Sequence, residues 1–149
     1  MGKYNKLIFV CTGNTCRSPM AEAIYKNQER VSDRKVISRG LVVLFSEPMN
    51  PKTEIVLSKH DLELKNHVAK GLKSSDIDDS TLILTMTANQ KKKVYETFAD
   101  AKDVYTIKEF AGEIGDVVDP YGGTLVDYEE CYGELARLVK KTIYKLNEE

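Results

Sequence analysis

The sequence predicts an α/β protein: a three-layer, doubly wound, four-stranded parallel sheet with helices on both faces. Two observations predict it. Four short apolar runs alternate with segments of helical periodicity, and the first run ends in a Gly-containing loop that leads straight into a helix. Length is a third: 149 residues suit one domain, residues 1–149, able to bury about two-thirds of its unfolded surface in a single core.

The elements follow in order. Lys6-Leu7-Ile8-Phe9-Val10 is a short continuous apolar run, as expected of a buried parallel strand, and Thr12-Gly13-Asn14 ends it. In the helix that follows, Ser18 suits the N-cap and Pro19 the first helical position, with Met20, Ala21, Ile24 and Tyr25 on an apolar face running toward Arg30. Val36-Ile37-Ser38 reads as the second strand. A turn at Gly40 and a long loop come next, and Asn50-Pro51 caps and opens a second helix carrying Ile55, Val56 and Leu57. Residues 79–86 supply the third strand, and Thr87 caps a helix through Gln90, Val94, Tyr95 and Phe98. Val104-Tyr105-Thr106-Ile107 is a shorter fourth strand. Residues 116–123 carry turn chemistry, and from Thr124 a last helix spaces Tyr128, Cys131, Leu135, Leu138, Val139, Ile143 and Leu146 on one face. The acidic stretch Asp76-Ile77-Asp78-Asp79 reads as a solvated turn rather than a metal site.

Composition excludes several classes. Apolar residues at 42% and charged residues at 30% describe a soluble globular chain, and a net charge of -1 gives no basic field for nucleic acid. The apolar run before Thr12 is too short for a signal-peptide core or a membrane span, so a cytoplasmic location without a membrane partner is expected, and a monomer. Three cysteines, Cys11, Cys16 and Cys131, with no C-x-x-C pair, indicate neither a disulfide framework nor zinc.

The sharpest feature is Cys11-Thr12-Gly13-Asn14-Thr15-Cys16-Arg17-Ser18, set between strand and helix. Ligands of doubly wound sheets bind at the carboxyl ends of strands, where a helix N-terminus offers unpaired N–H groups to an oxyanion. Gly13 permits and Asn14 tolerates a left-handed backbone, so several N–H groups can curl inward as an anion nest. The loop lacks the Lys-Ser/Thr ending of a Walker A motif. Arg17 is placed to fork two donors onto phosphate, above Cys11, whose sulfur would act as a thiolate with Ser18 as a further donor. Read blandly, Cys11 is a strand-end residue and Arg17 a surface charge; the strand–loop–helix context favours function.

Val10-Cys11-x5-Arg17-Ser18-Pro19 resembles the signature of the low molecular weight protein tyrosine phosphatases, and the resemblance extends over nearly the whole chain. It implies a four-stranded parallel sheet and a phosphocysteine intermediate hydrolysed by water. It also implies phosphorylated proteins as partners and no metal or cofactor. Carried over, Cys11 is the nucleophile, and Arg17 binds phosphate and stabilises the transition state. Thr12, Gly13, Thr15 and Cys16 line the phosphate, Ser18 supports the thiolate, Asn14 holds the loop's shape, and Ser38 and His67 brace it from outside. Asp119-Pro120 matches the family's Asp-Pro loop, which makes Asp119 the general acid and base and Tyr121 a cleft wall. By itself Asp-Pro is an ordinary turn starter, Asp116 is a rival carboxylate, and His67 is a structural histidine.

The substrate reading rests on Thr15, where tyrosine-specific members carry an aliphatic residue. A bacterial branch, the protein arginine phosphatases, has the string seen here from Cys11 through Glu22, and Gly122-Gly123 also resembles it. A Thr hydroxyl can pair with a guanidinium whose N–H groups an aliphatic wall would leave unpaired, so phosphoarginine is favoured. Phosphotyrosine is the alternative, consistent with Tyr121, and residues 39–50 depart from the small-residue stretch of either branch. Arsenate reductase is less favoured because no cysteine lies between Cys16 and Cys131; a non-catalytic phosphoprotein-binding module is disfavoured by the presence of both Cys11 and Asp119. Cys16 is close enough along the curled loop for a reversible Cys11–Cys16 bond, whereas Cys131 reads as inert core.

Overall fold

The computed structural model describes residues 3–29 and 33–148. Its elements are β1 (Lys6–Cys11), α1 (Arg17–Gln28), β2 (Lys35–Gly40), α2 (Pro51–Lys59), a 3-10 turn (Ser74–Asp76), β3 (Thr81–Thr85), α3 (Ala88–Thr97), β4 (Asp103–Thr106), α4 (Ile107–Phe110) and α5 (Leu125–Asn147). The strands form one sheet in the order β2-β1-β3-β4, every pairing parallel.

Alternation along the central strands builds two cores. Leu7 and Phe9 of β1 with Leu82 and Leu84 of β3 face Met20 and Ile24 of α1, Leu57 of α2 and Leu135 and Leu138 of α5. Ile8, Val10 and Ile83 point the other way, onto Val94 of α3 and onto Leu72 and Ile77. Both faces of the sheet are therefore covered, as continuous apolar strands require. Because β1 leads to α1 on one face and β3 leads to α3 on the other, the chain divides at the carboxyl ends of these neighbouring strands. The crevice there is where such sheets bind ligands.

Several boundaries differ from the sequence reading, each for a local reason. The N-cap of α1 is Cys16, not Ser18, and no side chain caps it. Ser18 turns its hydroxyl to Cys11 instead, and Pro19 is the third helical residue, still within the turn whose N–H groups have no helical partner. The helix closes at Gln28; Arg30 lies outside the described residues. β2 is longer than read, because Lys6 and Cys11 of β1 pair with its ends, Lys35 and Gly40. β3 is shorter: Asp78 accepts from Ser80 and Thr81 in a turn before it, and at its other end the Met86 N–H is shared between the Gln90 side chain (2.9 Å) and the Val10 carbonyl (3.2 Å). Ile107 belongs to α4, not to β4, since Thr106 and Glu109 form a capping box just before it. Asp76 is not a solvated turn residue but pairs with Arg39 at 3.1 Å. In α2 and α3, Ile55 and Tyr95 face outward. Among the described residues no helix is long and apolar enough to cross a membrane.

Candidate active site

The loop after β1 closes on itself through Asn14. Its backbone is left-handed (φ 60°), a conformation Asn tolerates, whereas Gly13 does not take a positive φ. The steric demand for glycine lies instead at Gly40, where an added Cβ would stand 2.7 Å from Val43 Cγ2 and 2.9 Å from the Thr12 carbonyl oxygen.

Hydrogen-bond direction in this loop is determined by groups that can act in only one sense. The Lys70 backbone N–H donates to Asn14 Oδ1 (3.0 Å), which turns Asn14 Nδ2 toward Ser18 Oγ (2.8 Å) and Ser38 Oγ (3.0 Å). Ser38 passes its own proton to Glu22 Oε1 at 2.7 Å, and Lys26 pairs with the other carboxylate oxygen. Ser18, having accepted from Asn14, lies 2.9 Å from Cys11 Sγ and 3.5 Å from the Arg39 carbonyl, and a thiolate at Cys11 can only accept its proton. The Asn14 carbonyl can only accept, so His67 Nε2 (2.9 Å) carries a hydrogen. Ser38 and His67 thus meet the loop from outside through Asn14. Glu22 and the Lys70 amide, which sequence reasoning missed, complete the chain. A second brace is Gln90, whose Nε2 donates to Thr12 Oγ1 (3.1 Å) while its Oε1 accepts from the Met86 and Thr87 N–H groups.

Arg17 is 4% exposed. Its Nη1 donates to the Val117 carbonyl at 2.8 Å, and Nη2 lies 3.5 Å from Asp119 Oδ2. Val117 is tethered in turn through its N–H to the Met86 carbonyl, so the end of β3 positions the guanidinium. Asp119 has a half-exposed side chain and accepts from the Tyr121 N–H at 3.0 Å, the short loop of an Asx turn. Asp116 is occupied elsewhere, accepting from the Ala88 N–H at 2.9 Å at the start of α3.

These groups surround one cavity of about 310 Å³. Cys11, Thr12 and Gly13 lie at its base with Thr15, Cys16 and Arg17, and Val42 to Phe45 form a wall, with Asp119 and Tyr121 also lining it. The Cys16 thiol is buried, 3.6 Å from the Tyr128 hydroxyl and 3.8 Å from Thr15 Oγ1, and its burial raises its pKa. Burial pushes the Cys131 thiol up to about 12. All three cysteines are free thiols. Among the described residues no group of three or more His, Cys, Asp or Glu side chains is arranged to hold a metal ion. A sulfur beneath a helix N-terminus, with a guanidinium beside it and a carboxyl at the rim, has the parts for phosphoryl transfer.

Comparison with known proteins points the same way. Residues 6–149 match the family model described as low molecular weight phosphotyrosine protein phosphatase. The low molecular weight protein-tyrosine-phosphatase PtpB of Staphylococcus haemolyticus is 39% identical over 136 residues, 91% of this chain and 96% of that one. A protein-arginine-phosphatase of Geobacillus stearothermophilus is 36% identical over 146 residues, 97% of each chain. The solved structure of a Cys-to-Ser variant of an arginine phosphatase, with a phosphorylated active-site serine, superposes with a TM-score of 0.90 at 33% identity, covering 97% of each chain.

Proposed function

The chain belongs to the low molecular weight phosphotyrosine protein phosphatase family, enzymes that act on phosphorylated proteins, and on that premise we propose that it hydrolyses phosphoarginine through a phosphocysteine on Cys11. The observation that carries the reaction is the convergence of Cys11, Arg17 and Asp119 on one cavity, with the Ser18 hydroxyl 2.9 Å from the sulfur and able to donate to its thiolate. The Cys11 thiolate attacks phosphorus while Arg17 and the loop N–H groups hold the non-bridging oxygens. As the P–N bond breaks, Asp119 protonates the departing guanidine nitrogen. The resulting carboxylate then takes a proton from water, which attacks the phosphocysteine, frees phosphate and restores the thiolate. A relative whose serine in the nucleophile's place carries phosphate supports the covalent intermediate.

The choice of phosphoarginine rests on Thr15, whose side chain lines the cavity and gives a guanidinium a hydroxyl partner. Phosphotyrosine is the second reading, favoured by the apolar surface of Val42 and Tyr121 and by the name of the relative PtpB. Matched phosphoarginine and phosphotyrosine peptides decide between them through kcat/KM, with Thr15→Ile as the variant. A wild-type preference for phosphotyrosine, or an unchanged ratio in Thr15→Ile, overturns the phosphoarginine reading. Cys11→Ser abolishes turnover of either.

Cys16 lends itself to protecting the nucleophile. Peroxide oxidises the Cys11 thiolate to a sulfenic acid, and the Cys16 sulfur displaces hydroxide to form the Cys11–Cys16 disulfide, its proton leaving with that hydroxide as water. Mass spectrometry after mild peroxide is expected to find that linkage; finding only Cys11 sulfinic acid excludes it.

A further inference from the structure

We propose that Lys52 is a positioning residue for Asp119, a tether from α2 that fixes the loop carrying the acid relative to the nucleophile. The inference rests on the phosphatase reading above and deepens it.

Lys52 is the second residue of α2, and a cation in a helix's first turn faces the positive end of the backbone dipole. Here the partly buried side chain carries its charge away from that end and onto another element. Its Nζ lies 5.8 Å from the centre of the Tyr128 ring and donates to the Gly123 carbonyl at 2.6 Å. That carbonyl is outside the helical ladder of α5. It comes one residue before the N-cap, Thr124, whose own carbonyl accepts the first helical bond, from the Tyr128 N–H.

Both ends of this contact are anchored to reacting groups. At the α2 end, the Asn50 N–H donates to the Thr15 carbonyl at 3.0 Å, in the loop that begins at Cys11, and Asn50 Oδ1 accepts from the Lys52 N–H at 2.9 Å. At the other end, the Gly123 N–H donates to the Pro120 carbonyl at 2.8 Å, closing a turn in which Gly122 has φ 82°. Pro120 follows Asp119 directly, and Asp119 Oδ1 accepts from the Tyr121 N–H. The path from the phosphate loop through Asn50, Lys52 and Gly123 to Asp119 therefore sets the separation of nucleophile and acid, where two consecutive glycines would otherwise let the loop swing on α5. Arg17 reaches the loop at 3.5 Å through the Asp119 carboxylate, a contact that weakens whenever Asp119 carries the proton it must donate. The Lys52 bond goes to a backbone carbonyl and is the same in both protonation states. Lys52 itself does not line the cavity, so it acts through the loop and not on the substrate.

The test uses the whole chain with two aryl phosphates: phenyl phosphate, whose leaving group needs a proton, and dinitrophenyl phosphate, whose leaving group departs without one. Lys52→Met keeps an unbranched stem beside Tyr128 and removes the donor. It is expected to lower kcat/KM for phenyl phosphate by about tenfold, and for dinitrophenyl phosphate by less than about twofold, as a displaced general acid would. The ratio of the two is unaffected by an unfolded fraction, so a variant that melts early still gives the answer. Lys52→Arg, which can donate to the same carbonyl, is expected to recover most of the ratio. In an Asp119→Asn background, Lys52→Met is expected to add no further loss on phenyl phosphate. Equal losses on the two esters, no loss on phenyl phosphate, or a full loss added to that of Asp119→Asn overturns the proposal. Failure of wild type to hydrolyse either ester would instead sink the phosphatase reading itself.

Discussion

At the scale of single residues, the nucleophile's surroundings hinge on the amide of Asn14. Its two N–H groups and one oxygen are all used, and the orientation imposed by the Lys70 N–H is what leaves the Ser18 proton for Cys11. Asn14→Ala removes three hydrogen bonds at a fully buried position with φ 60°, and strands the Lys70 N–H. A cost of about 2–4 kcal/mol is expected in denaturant unfolding. Asn14→Asp separates folding from function. The carboxylate still accepts from Lys70 but can only accept from Ser18 and Ser38, drawing the Ser18 proton off the sulfur. Its turnover of an aryl phosphate is expected to fall by about tenfold or more. Turnover at the wild-type rate would show that the donor to Cys11 is dispensable. The other two thiols are held in the protonated form by burial, Cys131 at about 12. At pH 8, iodoacetamide is accordingly expected to label Cys11 before Cys16, and Cys131 last, as peptide mapping would read.

At the scale of elements, the end of β2 shapes the phosphate loop. Gly40 lies so close to the Thr12 carbonyl and Val43 that Gly40→Ala must push the loop or the strand aside. Destabilisation of about 1–3 kcal/mol is expected, together with weaker competitive inhibition by inorganic phosphate. Inhibition equal to wild type would show that the loop absorbs the methyl group. Nothing in the sequence flags Gly40 as more than a turn, because the partner it must clear comes from residues 12 and 43. The same reason explains what was legible and what was not. Apolar runs show β1 and β3, Asn50-Pro51 shows the start of α2, and Thr87 and Thr124 show the starts of α3 and α5, since each signal is local. Cys11, Arg17 and Ser18 are likewise adjacent in the chain. Glu22, Gln90 and the Lys70 amide were not legible as parts of the site: their partners lie in other elements. Ser18 misled for a related reason, since its hydroxyl looks like a cap in sequence but is spent on Cys11.

At the scale of the whole molecule, α5 carries Tyr128 beneath Cys16 and follows directly on the loop that presents Asp119, so its docking governs the back of the site. Much of that docking is ionic and joins α5 to the segment around α4. Glu113 pairs with Arg137 and with Lys141 (2.8 Å), Lys108 with Glu134 (3.0 Å), and Lys145 stands 4.4 Å over the Phe110 ring. Arg137 and Lys141 depress the Glu113 carboxyl from the ordinary 4.5 to about 2. A carboxyl depressed in the folded state binds its proton more readily when unfolded, so its contribution is full above about pH 4.5 and is lost as pH falls toward 2. Asp78 and Glu109 are lowered as well and act with the same sign. Glu113→Gln lacks this titration. Its denaturation midpoint is expected to lie below wild type at pH 7 and to converge on it between pH 4.5 and 2, a convergence that salt weakens because the pairs are near the surface. Curves that stay parallel through that window would show that the Glu113 pairs do not hold α5, and would place its docking in the apolar contacts of Leu135, Leu138 and Val139 alone.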